Sequence, residues 1–305
     1  MVKHYSCPVC LSIETKLSLY CLDHFKTKKT FSIWTCSACG ISFTRECPAE
    51  EELGAYYESD NYISHGSSSG GMVNKVYQII RNFALNRKKA LVQHESGQSF
   101  GILLDIGSGT GHFAAKMKAA EWNTKCVEIS EKARQFSISH FELDAIPPSE
   151  MLHIPDSMFD CITLWHSLEH LPDLHKYISE IQRLLKPEGV CLIAVPNITS
   201  YDAKYYKEYW AAYDVPRHIW HFTPDALRFL LESKGFKLLD IKPMPIDVFY
   251  ISILSEKYKN KRFAFFSGIF KGLFFATKTL FNKKGASSLI FICKHNNFYK
   301  NTILL

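Results

Sequence analysis

Three groups of residues have the types and spacing for chemistry. The first is Asp105-x-Gly107-x-Gly109-x-Gly111, followed by Glu128. Alternating glycines strip side chains from a bend that a ligand must approach closely. The two carboxylates can accept hydrogen bonds on either side of it. The second is Cys7-x-x-Cys10 with Cys36-x-x-Cys39, 25 residues apart. Two such knuckles offer four thiolates to a tetrahedral Zn²⁺, and Pro8 and Gly40 suit the tight turns. The third is rich in histidine: His166-Ser-Leu-Glu169-His170, and the stretch Tyr213 to His221 with Asp214, Arg217 and His218. Imidazoles and a phenol there can contact an acceptor or move a proton.

The elements that must position these groups emerge from apolar patterning. "FGILLDI" (100–106) is a continuous apolar run, as a buried parallel strand requires. It leads into the glycine loop and a helix over 113–120. "KCVEI" (125–129), "FDCITLW" (159–165) and "GVCLIAVPN" (189–197) predict further strands, with helices over 131–139 and 171–185 between them. The alternation gives an α/β fold with an open doubly wound sheet. In that setting the glycine loop sits where a strand passes into a helix, and Glu128 ends the next strand, placed for ribose hydroxyls. A dinucleotide site prefers glycine or alanine at position 112, where this chain has His112. The loop instead suits a ligand with an α-amino group near Asp105 and no phosphate, and S-adenosylmethionine is such a ligand.

The cysteine knuckles flank "KTFSIWTC", whose alternation predicts short strands, so residues 1–47 read as a zinc ribbon. A segment this short has too little core to fold alone, and a structural Zn²⁺ would supply the missing stability. Cys21-x-x-His24 is a competing ligand pair without a matched second knuckle, and Cys47 has no assignment. Residues 48–99 read as a linker with lead-in helices: an acidic helix and aromatic loop over 48–64, a flexible "HGSSSGG" at 65–71, and helical spacing over 72–94. His166-x-x-Glu169-His170 also matches a zinc-peptidase pattern. It begins at the edge of a strand, and no third ligand comes after it on a neighbouring helix. The plainer reading anchors a helix start with Glu169 and His170 and lets His166 line a pocket. In the later stretch, Thr223 and Pro224 predict an N-cap and first position for a helix over 224–234. Asp214 and Arg217 have the makings of a structural pair, while Tyr213, His218 or His221 would contact the acceptor or serve as base.

Composition narrows the classes. The chain has 305 residues, 47% apolar and 22% charged, which suits folded domains and excludes extensive disorder. Ten cysteines without an export signal point to a reducing, cytoplasmic setting. Between Glu256 and Lys300 there are ten basic residues and one acidic, a local net of +9 within an overall +6. The main body is therefore slightly acidic, which makes nucleic acid an unlikely partner. The excess surrounds a phenylalanine-rich stretch, 259–284, inside an insertion over 246–287. Lys271, Lys278, Gly268 and Gly272 argue against a membrane span. An interfacial helix at the inner face of a membrane, or packing on the core or a dimer partner, are the two readings.

The strings "LLDIGSGTGHFA", "VEIS", "FDCITLWHSLEHLPD" and "LLKPEGVCLIAVPN" occur in this order and resemble the successive motifs of class I S-adenosylmethionine-dependent methyltransferases. The N-terminal "CPVC…CSACGISFT…YYESDNYISH" and "DVPRHIWHFTPDALRFLLESKGF" resemble a bacterial subgroup with a leading zinc ribbon, a layout shared with some sugar C-methyltransferases. The resemblance covers about residues 100–242. It implies a seven-stranded Rossmann-like sheet, with a core over 100–245, a sixth strand at 236–242 and a seventh in the 288–305 segment at 288–294. It implies that Asp105, Gly107, Gly109 and Gly111 line the methionine part of the cofactor, Glu128 holds the ribose, and Ile129 and the Glu150–Leu152 loop with Met151 meet the adenine. Trp165 and His166 would face the sulfonium, and Tyr57 and Tyr62 would close over the site. The function expected is methyl transfer to a small-molecule, glycan or lipid-linked acceptor. The alternatives are RNA or protein methylation guided by the ribbon, or a silent cofactor-binding module that docks a partner.

Overall fold

The apolar runs at 100–106, 125–129, 159–165 and 189–197 each contribute to a strand. The structure is a computed structural model, and it describes residues 1–49, 52, 56 and 72–296. Tyr57, Tyr62, the linker at 65–71 and most of the acidic helix and aromatic loop lie outside the described residues.

Five short strands open the chain: β1 (Val2–Lys3), β2 (Thr15–Leu22), β3 (Thr30–Cys36), β4 (Ser42–Thr44) and β5 (Glu46–Cys47). After α1 (Met72–Ser96) come β6 (Ile102–Ile106), α2 (His112–Lys118), β7 (Asn123–Val127), α3 (Glu131–Phe141), β8 (Asp144–Ile146) and β9 (Phe159–Trp165). Next are α4 (Leu174–Leu184), β10 (Leu185–Pro196), α5 (Tyr201–Tyr206), β11 (Trp220–His221), α6 (Pro224–Ser233) and β12 (Phe236–Pro243). Last are α7 (Asp247–Tyr258), α8 (Ala264–Phe281) and β13 (Ser288–His295).

Seven strands hydrogen-bond in the order β12-β13-β10-β9-β6-β7-β8. β6 pairs in parallel with both β7 and β9, and β7 with β8. Sequential strands that are not spatial neighbours, linked by helices, make this the doubly wound α/β sheet that the alternation predicts.

The chain divides into two compact units. One comprises Leu53–Trp165, Ser179–Leu192 and Cys293–Leu305. Its strand β6 is buried on both faces, with Leu103 and Leu104 fully inaccessible. Ser130 caps α3 by accepting from Ala133 N at 3.3 Å, which fixes where the chain leaves β7.

The other unit comprises Met1–Glu52, His166–Ile178 and Ile193–Ile292. Its small antiparallel sheet has the order β11-β4-β3-β2. The ribbon thus takes its fourth strand from far downstream, Trp220 pairing with Phe43 and His221 with Ser42. Thr44 Oγ1 also donates to the carbonyl of His218 at 2.8 Å. These contacts, with a core of Phe31, Ile33, Tyr206, Trp210 and Phe275, supply burial that a free-standing ribbon would lack. Thr223 caps α6 as its sequence predicts, accepting from Ala226 N at 3.1 Å.

Candidate active site

The glycine loop leaves β6 with all three of its glycines at positive φ: +75° at Gly107, +54° at Gly109 and +79° at Gly111. Their tasks differ. A Cβ on Gly109 would meet nothing within 4 Å among the described residues, so this backbone fronts open space there. A Cβ on Gly111 would lie 2.7 Å from Leu143 Cδ1 and 2.8 Å from Ser137 Cβ. Gly111 therefore serves close packing against α3 and Leu143, while Gly109 keeps a cradle clear. His112 begins α2 and packs edge-on against Phe141, with Arg81 Nη1 at 3.1 Å from its Nε2.

Two carboxylates bound the cradle. Asp105, in β6, is buried and accepts from Thr163 Oγ1 at 2.7 Å. Burial pushes its carboxyl up to about 6, against the pull of that hydrogen bond and of Lys88. A carboxyl so placed gains by receiving a cationic partner. Glu128 lies just beyond β7, accepting from Gly109 N at 2.7 Å and from Ser130 N at 2.8 Å. Burial raises its pKa, and the two amides work against that rise. Each oxygen retains a second lone pair for a hydroxyl donor.

The remaining residues of this unit fall into two groups. Ile129 is 43% exposed beside Glu128, with Arg134 Nη1 donating to both backbone carbonyls. Trp165 ends β9, edge-on to Phe113 at 5.3 Å and with Lys88 Nζ 4.5 Å from its ring centre. Its Nε1 is buried and has no hydrogen-bond partner among the described residues, a donor that a bound ligand would satisfy. Met151, by contrast, is 3% exposed; its carbonyl accepts from Arg183 Nη2 at 3.3 Å, and its neighbour Leu152 is the exposed one. Tyr62 lies outside the described residues.

In the other unit, His166 comes directly after Trp165. It is held at φ +58°, a left-handed conformation that is costly for a residue with a side chain and tends to mark functional positions. Its Nε2 is 2.7 Å from Asp247 Oδ2 and its Nδ1 3.3 Å from Glu169 Oε1. Burial lowers its pKa, but the Asp247 charge and hydrogen bond, with Glu169, outweigh this and raise it to about 10. His166 is thus an imidazolium at neutral pH.

Tyr213, His218 and His221 are all buried, at 8% exposure or less. His218 Nδ1 lies 2.8 Å from the Ala212 carbonyl, and His221 Nε2 lies 3.0 Å from Thr44 Oγ1. Burial lowers His221 to about 3, so its ring stays neutral. Tyr213 packs edge-on against Trp210 and His221, and burial raises its hydroxyl. Arg217 pairs with Asp214 and, at 3.5 Å, with Asp23, making the expected structural pair into a triad. His170 Nδ1 lies 3.0 Å from the Arg217 carbonyl, and ligand-type atoms of Glu169, His170 and His218 come within 4.8 Å of one another. The peptidase pattern's two histidines are split, His166 toward Asp247 and His170 toward Arg217.

The thiols of Cys7, Cys10, Cys36 and Cys39 lie within 4.8 Å of one another, with Sγ pairs 3.5 Å apart between Cys7 and Cys39 and between Cys10 and Cys36. That spacing fits a tetrahedral ion with bonds of about 2.3 Å to sulfur. His175 Nε2 meets the Val9 carbonyl at 2.9 Å, holding one knuckle. The competing pair is not assembled: Cys21 is buried, and His24 stacks on Tyr258 at 4.0 Å.

Thr163, Lys88 and Asp247 carry no motif. Thr163 is legible in hindsight as the residue level with Asp105 on the neighbouring strand. Asp247 meets His166 across 81 positions, and no local pattern announces that.

A family model described as "Methyltransferase domain" matches residues 77–241. A ubiquinone biosynthesis O-methyltransferase of Acinetobacter baylyi is 27% identical over 113 residues, covering 34% of this chain and 48% of that protein. A demethylmenaquinone methyltransferase of Leptospira interrogans is 31% identical over 129 residues, covering 36% and 51%. The chain thus spans about half the length of these curated relatives. Two solved structures share the fold. They are a cyclopropane synthase of Mycobacterium tuberculosis (TM-score 0.52, 16% identical, covering 81% of this chain and 98% of that one) and a geranyl diphosphate C-methyltransferase of Streptomyces coelicolor (0.52, 13%, 81% and 100%).

Proposed function

The chain belongs to the methyltransferase-domain family, and on that premise we propose that it is an enzyme transferring a methyl group from S-adenosylmethionine to a small-molecule acceptor. The observation that carries this reading is the Gly109 cradle, open in front and flanked by Asp105 and Glu128. Names among its relatives, quinone-pathway O- and C-methyltransferases, support small acceptors. Glycans and lipid-linked intermediates are the finer classes we retain.

Bound in that cradle, S-adenosylmethionine supplies an electrophilic methyl group. The chain's own residues bind and align. Asp105 takes the α-amino group, Gly107 and Gly109 form the bend that faces the methionine part, Gly111 packs that bend on α3, and Glu128 accepts from the ribose. Ile129 and the loop around Met151 meet the adenine, with Leu152 as the exposed contact. Trp165 offers its indole N–H. Alignment and exclusion of water do most of the work in such a displacement.

His166 holds a proton at neutral pH with both ring nitrogens turned to carboxylates, so in our reading it steadies negative charge on the acceptor by its own charge. A base role requires that the His166 ring first lose the proton that Asp247 and Glu169 stabilise. Tyr213, His218 and His221 act from burial, bracing the 213–223 stretch through the Ala212 carbonyl and Thr44. Cys7, Cys10, Cys36 and Cys39 hold a structural Zn²⁺ as thiolates, and none of the ten cysteines is in a disulfide, in keeping with an intracellular site of action. Peripheral contact with a membrane falls to residues 259–284.

The test is turnover. The full chain, given S-adenosylmethionine labelled in its methyl group and a small-molecule extract, should move label into extractable products. Label found only in protein or RNA would replace this reading with the macromolecular one. Binding without any turnover would mark a docking module.

A further inference from the structure

The insertion is a helical hairpin in which α8 presents two contrasting faces. Gly268 and Gly272 form its inner face. A Cβ on Gly268 would lie 2.7 Å from Ile253 N, and one on Gly272 would lie 2.7 Å from Phe249 Cδ1. Only glycine permits this approach to α7, and a small residue every fourth position is the device of close helix pairs. The outer face is apolar and open: Phe265, Phe266, Phe270, Leu273 and Phe274 are each at least half exposed. By length and hydropathy α8 is able to cross a membrane. However, α7 before it and Ser288–Ile292 after it belong to the same compact unit, so it lies along a surface.

Cations rim this face. Lys278 Nζ lies 5.6 Å from the Phe274 ring centre and 4.4 Å from that of Tyr201. Beside α8 is a cavity of about 520 Å³ whose lining includes Lys259, Lys261, Lys271, Tyr205, Tyr209 and Ser267. Lys259 is held among the rings of Tyr205, Tyr206 and Tyr209 at 5.0 to 5.7 Å, and Lys271 lies 4.4 Å from Tyr205. Glu256 also lines the cavity, but its oxygens accept from Tyr206 Oη and Ser267 Oγ. Among the described residues, none of the three lysines is ion-paired with a carboxylate within 4.0 Å.

We propose that the α7–α8 hairpin docks on a bilayer carrying anionic phospholipid, with the phenylalanine face of α8 in the headgroup boundary and the Lys259–Lys261–Lys271 cavity receiving a lipid phosphate. Charge selects this occupant. Eight Lys or Arg side chains lie between Lys257 and Lys284. A second copy of this chain would set like charge against like across an isologous contact, whereas an anionic surface is complementary. The proposal deepens the peripheral contact named above and needs nothing from the methyl-transfer reading.

The experiment is flotation of the full chain, without cofactor, on phosphatidylcholine vesicles with and without phosphatidylglycerol. The wild type should float only with the anionic vesicles, and high salt should release it. Lys261→Gln and Lys271→Gln should each weaken partitioning about fivefold. A Phe266→Ser/Phe270→Ser double variant, its fold checked by circular dichroism, should weaken it at least about tenfold. Inorganic phosphate should displace the chain no better than another salt at equal ionic strength. Failure to float, equal flotation on neutral vesicles, unaltered flotation of the phenylalanine variant, or specific displacement by phosphate would each overturn the proposal. So would a dimer in light scattering that the phenylalanine variant dissolves. None of these outcomes touches the turnover assay.

Discussion

His166 concentrates several pressures on one side chain: a left-handed backbone, two carboxylate partners and a proton held to about 10. Its pKa is raised on folding from the ordinary 6.5. The stability it contributes is therefore fully present below about pH 6.5 and is lost as pH rises through about 10. Asp247→Asn should lower the midpoint of the His166 titration, read by NMR. It should also reduce stability in denaturant melts most strongly at pH 6, with the difference from wild type closing toward pH 10. A pH-independent difference would mean that Asp247 acts through packing alone. At this scale the sequence was partly legible. Asp105, Glu128 and the glycines announce themselves because a strand-to-helix turn is local. Asp247 and Thr163 do not, because their partners are reached only through tertiary structure.

Among the elements, continuous apolar runs marked β6 and β9 to within two residues, and the family resemblance placed β13 to within one. Boundaries shifted where polar residues continue a backbone pattern. β10 starts at Leu185, before the apolar run at Val190, because Lys186, Pro187 and Glu188 extend it. α4 starts at Leu174, because Leu168–His170 form a separate turn and Pro172 precedes the helix. The pairing of β4 with β11 was invisible, since two-residue strands have no period to read. Two elements give clean tests. Metal analysis should find about one zinc per chain, and Cys36→Ser should abolish it and cost several kcal/mol in the ribbon; retained metal would move the site elsewhere. Gly268→Val should destabilise the hairpin by about 1–3 kcal/mol through overpacking against Ile253. An unchanged melting temperature would contradict the close packing of α7 on α8.

Across the whole molecule, chemistry and charge are unevenly spread. The cradle belongs to the unit built on β6 to β9, while the cysteine cluster, the histidine-rich loop and the basic hairpin belong to the other. The curated relatives share about half their length with this chain, and the cysteine cluster and the hairpin both lie outside the 77–241 span of the family match. Calorimetric titration with S-adenosylmethionine, on wild type and Asp105→Ala, tests the cradle itself. The wild type should bind one equivalent, more weakly as pH falls below about 6, where the Asp105 carboxyl takes up its proton. Asp105→Ala, still folded, should bind at least about tenfold more weakly. A wild type that gives no binding, or an Asp105→Ala chain with undiminished affinity, would contradict the account.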